Sequence, residues 1–309
     1  AWFVSVPLQP ISGLAGYIAN QGFSAVTVFD KRTQEVTGII STGNGPRGMA
    51  LDRSRNKLYV ALLNDDAVEV IDIAEGRSLT TIRLAQGDAP RELALTPDGQ
   101  TLLAVNTGSD TISFMDTTAL VERERISVGK RPRSLLIERT GRKAYVFNSL
   151  SNSISVVDIP GRAVMGEIAT GPEPLRGQFN RAGDRLYVAH AEYPYLFVID
   201  PVSFSLVRRE FVGTGVRSFK LDTRTELLYI GKKNDPVIGV YDPVTFSAVD
   251  YIPAKGTVDY MAIEGEGNNL YMVIAERKKV MIVNLINTRT VSEIDVIDDP
   301  SWVTMTGER

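Results

Sequence analysis

The chain has no cysteine. That excludes disulfides, thiol catalysis and thiolate metal sites. It has one histidine, so a multi-histidine metal centre is excluded as well. It lacks a basic excess: 34 Lys and Arg stand against 37 Asp and Glu, for a net charge of −3. A general nucleic-acid binder needs the opposite balance. No apolar run approaches the ~20 residues that span a bilayer. The opening AWFVSVPLQP has neither a basic start nor a long apolar stretch, so it is not read as an intact signal peptide. There is no Gly-x-Ser-x-Gly elbow and no Gly-x-x-x-x-Gly-Lys phosphate loop. The carboxylate pairs Asp65/Asp66 and Asp298/Asp299 fall in expected loops and read as solvated turn residues. No strongly amphipathic helix is found. A chain without cysteine avoids mispairing during export, which favours a periplasmic or extracellular location.

What is present is a period. DPVSFSLV begins at Asp200 and DPVTFSAV at Asp242. Runs of the type AVEVID end at Asp30, Asp72, Asp116, Asp158, Asp200, Asp242 and Asn284, in steps of 42, 44, 42, 42, 42 and 42. Tyr17, Tyr59, Leu103, Tyr145, Tyr187, Tyr229 and Tyr271 repeat the count. So do Arg47, Arg91, Arg133, Leu175, Arg217, Asp259 and Ser301.

Each unit reads as four short strands. In one of them GDAPRELALT opens the first, TPDGQ turns into TLLAVN, TGSD leads to TISFMD, and a further turn leads to ERERISV. Four strands per ~40 residues is a propeller period, not that of a helical solenoid. The Asp-Pro pairs are turn chemistry: proline presets φ and the carboxylate accepts backbone N–H groups. The first unit starts at its second strand near Tyr17, and the last residues, WVTMTG, supply a lone first strand. The expected fold is therefore all-β, a seven-bladed β-propeller of four-stranded blades. Its ring is closed by pairing of the C-terminal strand with the N-terminal strands, which removes open edges. Residues 1–13 form an N-terminal extension, and 14–309 a single propeller domain.

Segments such as GRKAYVFNSLSNSISVVDIP and KLYVALLNDDAVEVIDI resemble the YVTN-type seven-bladed β-propeller repeat. The likeness runs from about Gly13 to Gly307. It implies the fold. It leaves function open, because such propellers include surface proteins, periplasmic binders, redox-enzyme subunits and cofactor-maturation proteins.

The loop entering each first strand and the loop joining second to third strands share one face, because neighbouring strands are antiparallel. On that face Arg47, Arg91, Arg133 and Arg217 occupy one repeat position, with Arg176 one residue past it. Two guanidinium groups ~10 Å apart repel by about 1.7 kcal/mol at an effective dielectric of ~20. Anions would offset that, and a planar fork suits carboxylate or phosphate. The alternative is that each arginine bridges to a neighbouring blade through Glu92, Glu138 or loop carbonyls. Asp259 and Ser301 break the arginine series. The second strands end at Asn20, Leu62, Asn106, Asn148, His190, Lys232 and Ile274. His190 lies in VAHAEYPY, and Lys232 extends the positive face.

These residues support a non-catalytic binding or scaffold propeller. It would dock a protein partner, as a subunit of a larger complex, or hold a small anionic ligand through Arg47, Arg91, Arg133, Arg176, Arg217, His190 and Lys232. No catalytic residues, metal or cofactor are assigned. One alternative is a redox-complex subunit or a haem-handling protein resembling the haem d1 maturation propellers, with His190 as axial ligand and the arginines on the propionates. Another is a lactonase-type hydrolase, against which the single histidine and short regular loops weigh.

Overall fold

The computed structural model describes residues 14–308. The expected N-terminal extension, 1–13, lies outside the described residues. Twenty-eight strands form seven four-stranded antiparallel sheets, the blades of a β-propeller. Residues fall into two compact units. Unit 1, Ala1–Leu84 with Asp259–Arg309, holds blades 1, 2 and 7; unit 2, Ala85–Val258, holds blades 3 to 6.

Within unit 1 the strand Pro300–Met305 pairs antiparallel with Ala15–Asn20 and completes blade 1 beside the N-terminal strands. This is the closure expected from the displaced start of the repeat. A buried ion pair reinforces it. Lys31 Nζ lies 3.3 Å from Glu264 Oε1 and donates to the Thr306 carbonyl at 2.6 Å. Glu264 also accepts the N–H groups of Glu266 and Gly267.

The repeated aspartates make the turns between third and fourth strands. Oδ1 of Asp200 accepts the N–H groups of Val202 and Ser203, and Oδ1 of Asp242 those of Val244 and Thr245. Asp30, Asp72 and Asp116 do the same in their blades. These backbone hydrogen bonds hold the carboxyls of Asp116, Asp200 and Asp242 below the usual range.

The repeated tyrosines are core. Tyr17, Tyr59, Tyr145 and Tyr271 are fully buried, and burial pushes the Tyr59 hydroxyl up to about 12. Packing is between blades. In unit 2, Val105, Ile112 and Phe114 of blade 3 meet Leu135, Val146 and Val157 of blade 4. Likewise Tyr145, Phe147 and Ile154 of blade 4 meet Leu186, Val188 and Phe197 of blade 5. Apolar alternation on each strand thus covers both faces of a blade, one neighbour per face.

Candidate functional site

The innermost strands of unit 2 are Pro90–Leu95, Pro132–Ile137, Pro174–Phe179 and Val216–Leu221. Each begins with a β-bulge. Pro90 pairs with Asn106, but Glu92 pairs with Val105, so Arg91 is skipped. The same skip falls on Arg133, Leu175 and Arg217. A bulge residue is released from the ladder and its side chain re-aimed. Arg91 and Arg133 are half-buried and Arg217 is exposed.

Arg176 belongs to a different register. It aligns with Glu92, Ser134 and Ser218, the residues after the bulge. Its guanidinium forms a two-pronged bridge to Glu92, Nη1 to Oε1 at 3.1 Å and Nη2 to Oε2 at 2.6 Å. The bridge passes from blade 5 to blade 3 over blade 4, where Ser134 Oγ donates to the Leu175 carbonyl at 2.8 Å. Glu92 is buried, and burial pushes its carboxyl up, with Arg176 and then Arg91 acting against that shift. The bridging alternative weighed from the sequence thus holds for Arg176, across two blades rather than to a neighbour.

In unit 1 the matching positions are engaged locally. Arg47 Nη1 donates to Gln21 Oε1, Asp259 Oδ2 accepts from the Ala275 N–H at 3.1 Å, and Ser301 Oγ donates to the Pro46 carbonyl at 3.2 Å. One residue on from Asp259 and Ser301, Tyr260 stacks on Trp302 with centroids 3.9 Å apart. Sequence reasoning missed that pair, although both aromatics stand beside the positions it tracked.

The second-strand ends separate by residue type. Asn106 Nδ2 donates to Thr111 Oγ1 and Ser113 Oγ, Asn148 Nδ2 to Ser155 Oγ, and Asn20 Nδ2 to Thr27 Oγ1. These asparagines hold the third strand. His190 does the same job: it is 1% exposed, and its Nδ1 lies 2.9 Å from the Tyr195 carbonyl. A carbonyl can only accept, so Nδ1 carries the proton. Nε2 has no hydrogen-bond partner among the described residues, and the rings of Phe197 and Tyr193 stand at 4.9 and 5.6 Å. Burial drops the imidazole to about 4, so it is neutral at physiological pH. Axial ligation of a haem by His190 would require this buried nitrogen to be uncovered. Lys232 is half-buried, with Nζ over Gly213: a Cβ there would lie 3.1 Å from it.

Among the described residues no group of three or more His, Asp or Glu is placed to hold a metal ion. No helix among them is long and apolar enough to cross a membrane. The arrangement offers guanidinium groups on the bulges of three of the four inner strands of unit 2, plus the buried carboxylate of Glu92.

Solved structures resembling the chain share its fold. Hydrazine synthase of Kuenenia stuttgartiensis aligns at a TM-score of 0.77 and 20% identity, over 87% of this chain and 91% of that one. A functionally unknown protein from Desulfotomaculum acetoxidans gives 0.81 and 13%, over 94% and 98%. Dihydro-haem d1 dehydrogenase NirN in complex with DHE gives 0.72 and 14%, over 99% and 77%. No curated protein sequence matches. The model of one family, described as lactonase, 7-bladed beta-propeller, matches residues 85–243, just over half of the chain. With seven four-stranded blades and that match together, the chain belongs to the seven-bladed β-propeller lactonase family.

Proposed function

We propose that the protein is a non-catalytic binding propeller, exported from the cell, that takes a carboxylate or phosphate group on the inner strands of unit 2. Within its family we read the repeat as YVTN-type, on segments such as Lys143–Asn148, KAYVFN. One observation carries the binding reading. Three of four consecutive inner strands set an arginine on the opening bulge, and a fourth guanidinium on these strands holds a carboxylate through both of its Nη atoms. The Glu92–Arg176 bridge is a sample of the ligand chemistry such strands accept. Arg91, Arg133 and Arg217 are the residues assigned to an incoming anion. His190 supports the blade from within and Lys232 adds charge at the edge.

The family description supports a second reading, lactone hydrolysis, with Glu92 as the base beside the arginines. A haem-handling role rests on likeness of fold alone, with the His190 Nε2 enclosed.

The test is calorimetric titration with citrate and with inorganic pyrophosphate. Arg91→Ala with Arg133→Ala should weaken binding by about tenfold or more, with the protein still folded by circular dichroism. Undiminished binding overturns the reading. In the same preparations a lactone panel is assayed. Turnover that is lost in Glu92→Gln selects the hydrolase reading instead.

A further inference from the structure

A ladder of aromatic rings crosses one corner of unit 2. From buried His190 it runs to Tyr193 at 5.6 Å, to Tyr195 at 5.4 Å and to Phe211 at 5.8 Å. Exposure rises along it, from 1% at His190 to 71% at Phe211. A phenyl ring held mostly in water forgoes its transfer energy, about 25 cal/mol per Å² of apolar surface.

The ladder is held in place. The loop after Phe211 is pinned by the N–H groups of Val212 and Gly213, both donating to the Pro194 carbonyl at 2.9 and 3.1 Å. Gly215 N–H donates to the Ala191 carbonyl at 2.9 Å, and Lys233 N–H to the Gly215 carbonyl at 2.7 Å. Three loops from two blades are thereby joined into one surface whose ordering cost is met on folding.

Charge on this surface has one dominant sign. Arg209 lies 5.0 Å from the Tyr195 ring centroid. Lys232 and Lys233 follow across the pinned loop, and Arg217 stands at its end. The acidic residues of these segments are Glu192, Asp235 and Glu210. Asp235 accepts the Val237 N–H at 3.1 Å, Glu210 pairs with Arg208 at 3.4 Å, and Glu192 is exposed, one carboxylate against Arg209, Lys232, Lys233 and Arg217.

We infer that this strip docks an acidic segment of a partner protein. An apolar or aromatic side chain of the partner would seat against Phe211 and Tyr195, with its carboxylates on Lys232, Lys233 and Arg217. Exposed Phe211 against half-buried Tyr195, with Arg209 over the tyrosine ring, combines the aromatic and arginine side chains that protein interfaces favour. Single-stranded nucleic acid is the less suited occupant. The rings pack edge to face, at 76° for Tyr195–Phe211 and 78° for Tyr193–Phe197, and Arg209 sits over Tyr195. Little open parallel platform is left for bases to stack on.

Fluorescence anisotropy tests this with the full chain and four labelled probes. These are a short Glu/Asp peptide containing phenylalanine, the same peptide with Lys for each acid, the acidic peptide without phenylalanine, and oligo-dT. The first should bind best and weaken with added salt. Phe211→Ala, and Lys232→Glu with Lys233→Glu, should each weaken it by about tenfold. Phe211 is largely solvent-exposed, so its removal should leave the melting temperature unchanged. Equal binding of the acidic and basic peptides, a silent Phe211→Ala, or preference for oligo-dT overturns the inference. The two readings share Arg217 and Lys232, and the variants that avoid both residues separate them. Citrate binding that needs Arg91 and Arg133 while Phe211→Ala is silent on peptide keeps the arginine reading and removes this one. Peptide binding that needs Phe211 while citrate is ignored does the reverse.

Discussion

His190 illustrates how a residue's environment decides its chemistry. The repeat uses asparagine at this place in Asn20, Asn106 and Asn148, where the side-chain amide donates to the third strand. His190 replaces the amide with Nδ1–H and leaves a bare, buried Nε2. Its pKa falls from 6.5 to about 4 through burial. The unfolded chain therefore takes up a proton below about pH 6.5 that the folded chain refuses until about pH 4. Stability from this site is full above about 6.5 and declines as pH falls toward 4, by on the order of 2–3 kcal/mol at about pH 4.5. His190→Asn, the residue the other blades use, should remove that part of the slope. Melting curves at about pH 7.5 and about pH 4.5 check it; equal losses in wild type and variant would contradict the assignment.

At the level of single strands and turns, local chemistry and close packing divide the labour. The Asp turns need only their own carboxylate and the next two N–H groups, so they were readable from the letters DPV. The bulges were not. Arg91 and Arg176 look one residue apart in the repeat, yet one stands on a bulge and the other in the paired register that meets Glu92. A skipped residue leaves no mark in the sequence because it reflects how two strands pair, not what either prefers alone. Gly177 shows the same dependence. A Cβ there would lie 2.4 Å from Cζ of Phe147 on the adjoining blade and 3.0 Å from Leu186 Cδ1. Phe147 is fully buried and cannot yield. Gly177→Ala should cost about 1–3 kcal/mol by overpacking, seen as a lower urea midpoint with an unchanged slope. An unaltered midpoint would mean that the ring gives way.

At the largest scale, the strand pairing that spans most of the chain lies within unit 1. The strand Pro300–Met305 is far from Ala15–Asn20 in sequence, and their pairing forms only once the intervening chain has returned. Lys31 and Glu264 add a buried ion pair to that closure. Lys31→Met would strand the Glu264 carboxylate at 3% exposure, and removing one member of a buried pair costs about 3–5 kcal/mol. Guanidinium denaturation of Lys31→Met against Lys31→Met with Glu264→Gln measures it. The double variant should recover part of the loss; if the single variant matches wild type, the pair contributes nothing to closure.

The repeat of 42, the tyrosine core, the turn aspartates and the displaced first strand determined seven four-stranded blades from the sequence alone. The tyrosines and turn aspartates are local preferences written in six of seven copies, so the odd copies, Leu103 and Asn284, are corrected by the others. Tertiary structure alone decided which cations share a surface, because that depends on bulge register and on loops meeting across blades. It joined Arg176 to a carboxylate 84 positions away. It set the single histidine against aromatic rings, carried those rings out to Phe211, and brought two lysines onto the loop that follows. Distance along the chain holds no information about such meetings until the sheets have packed.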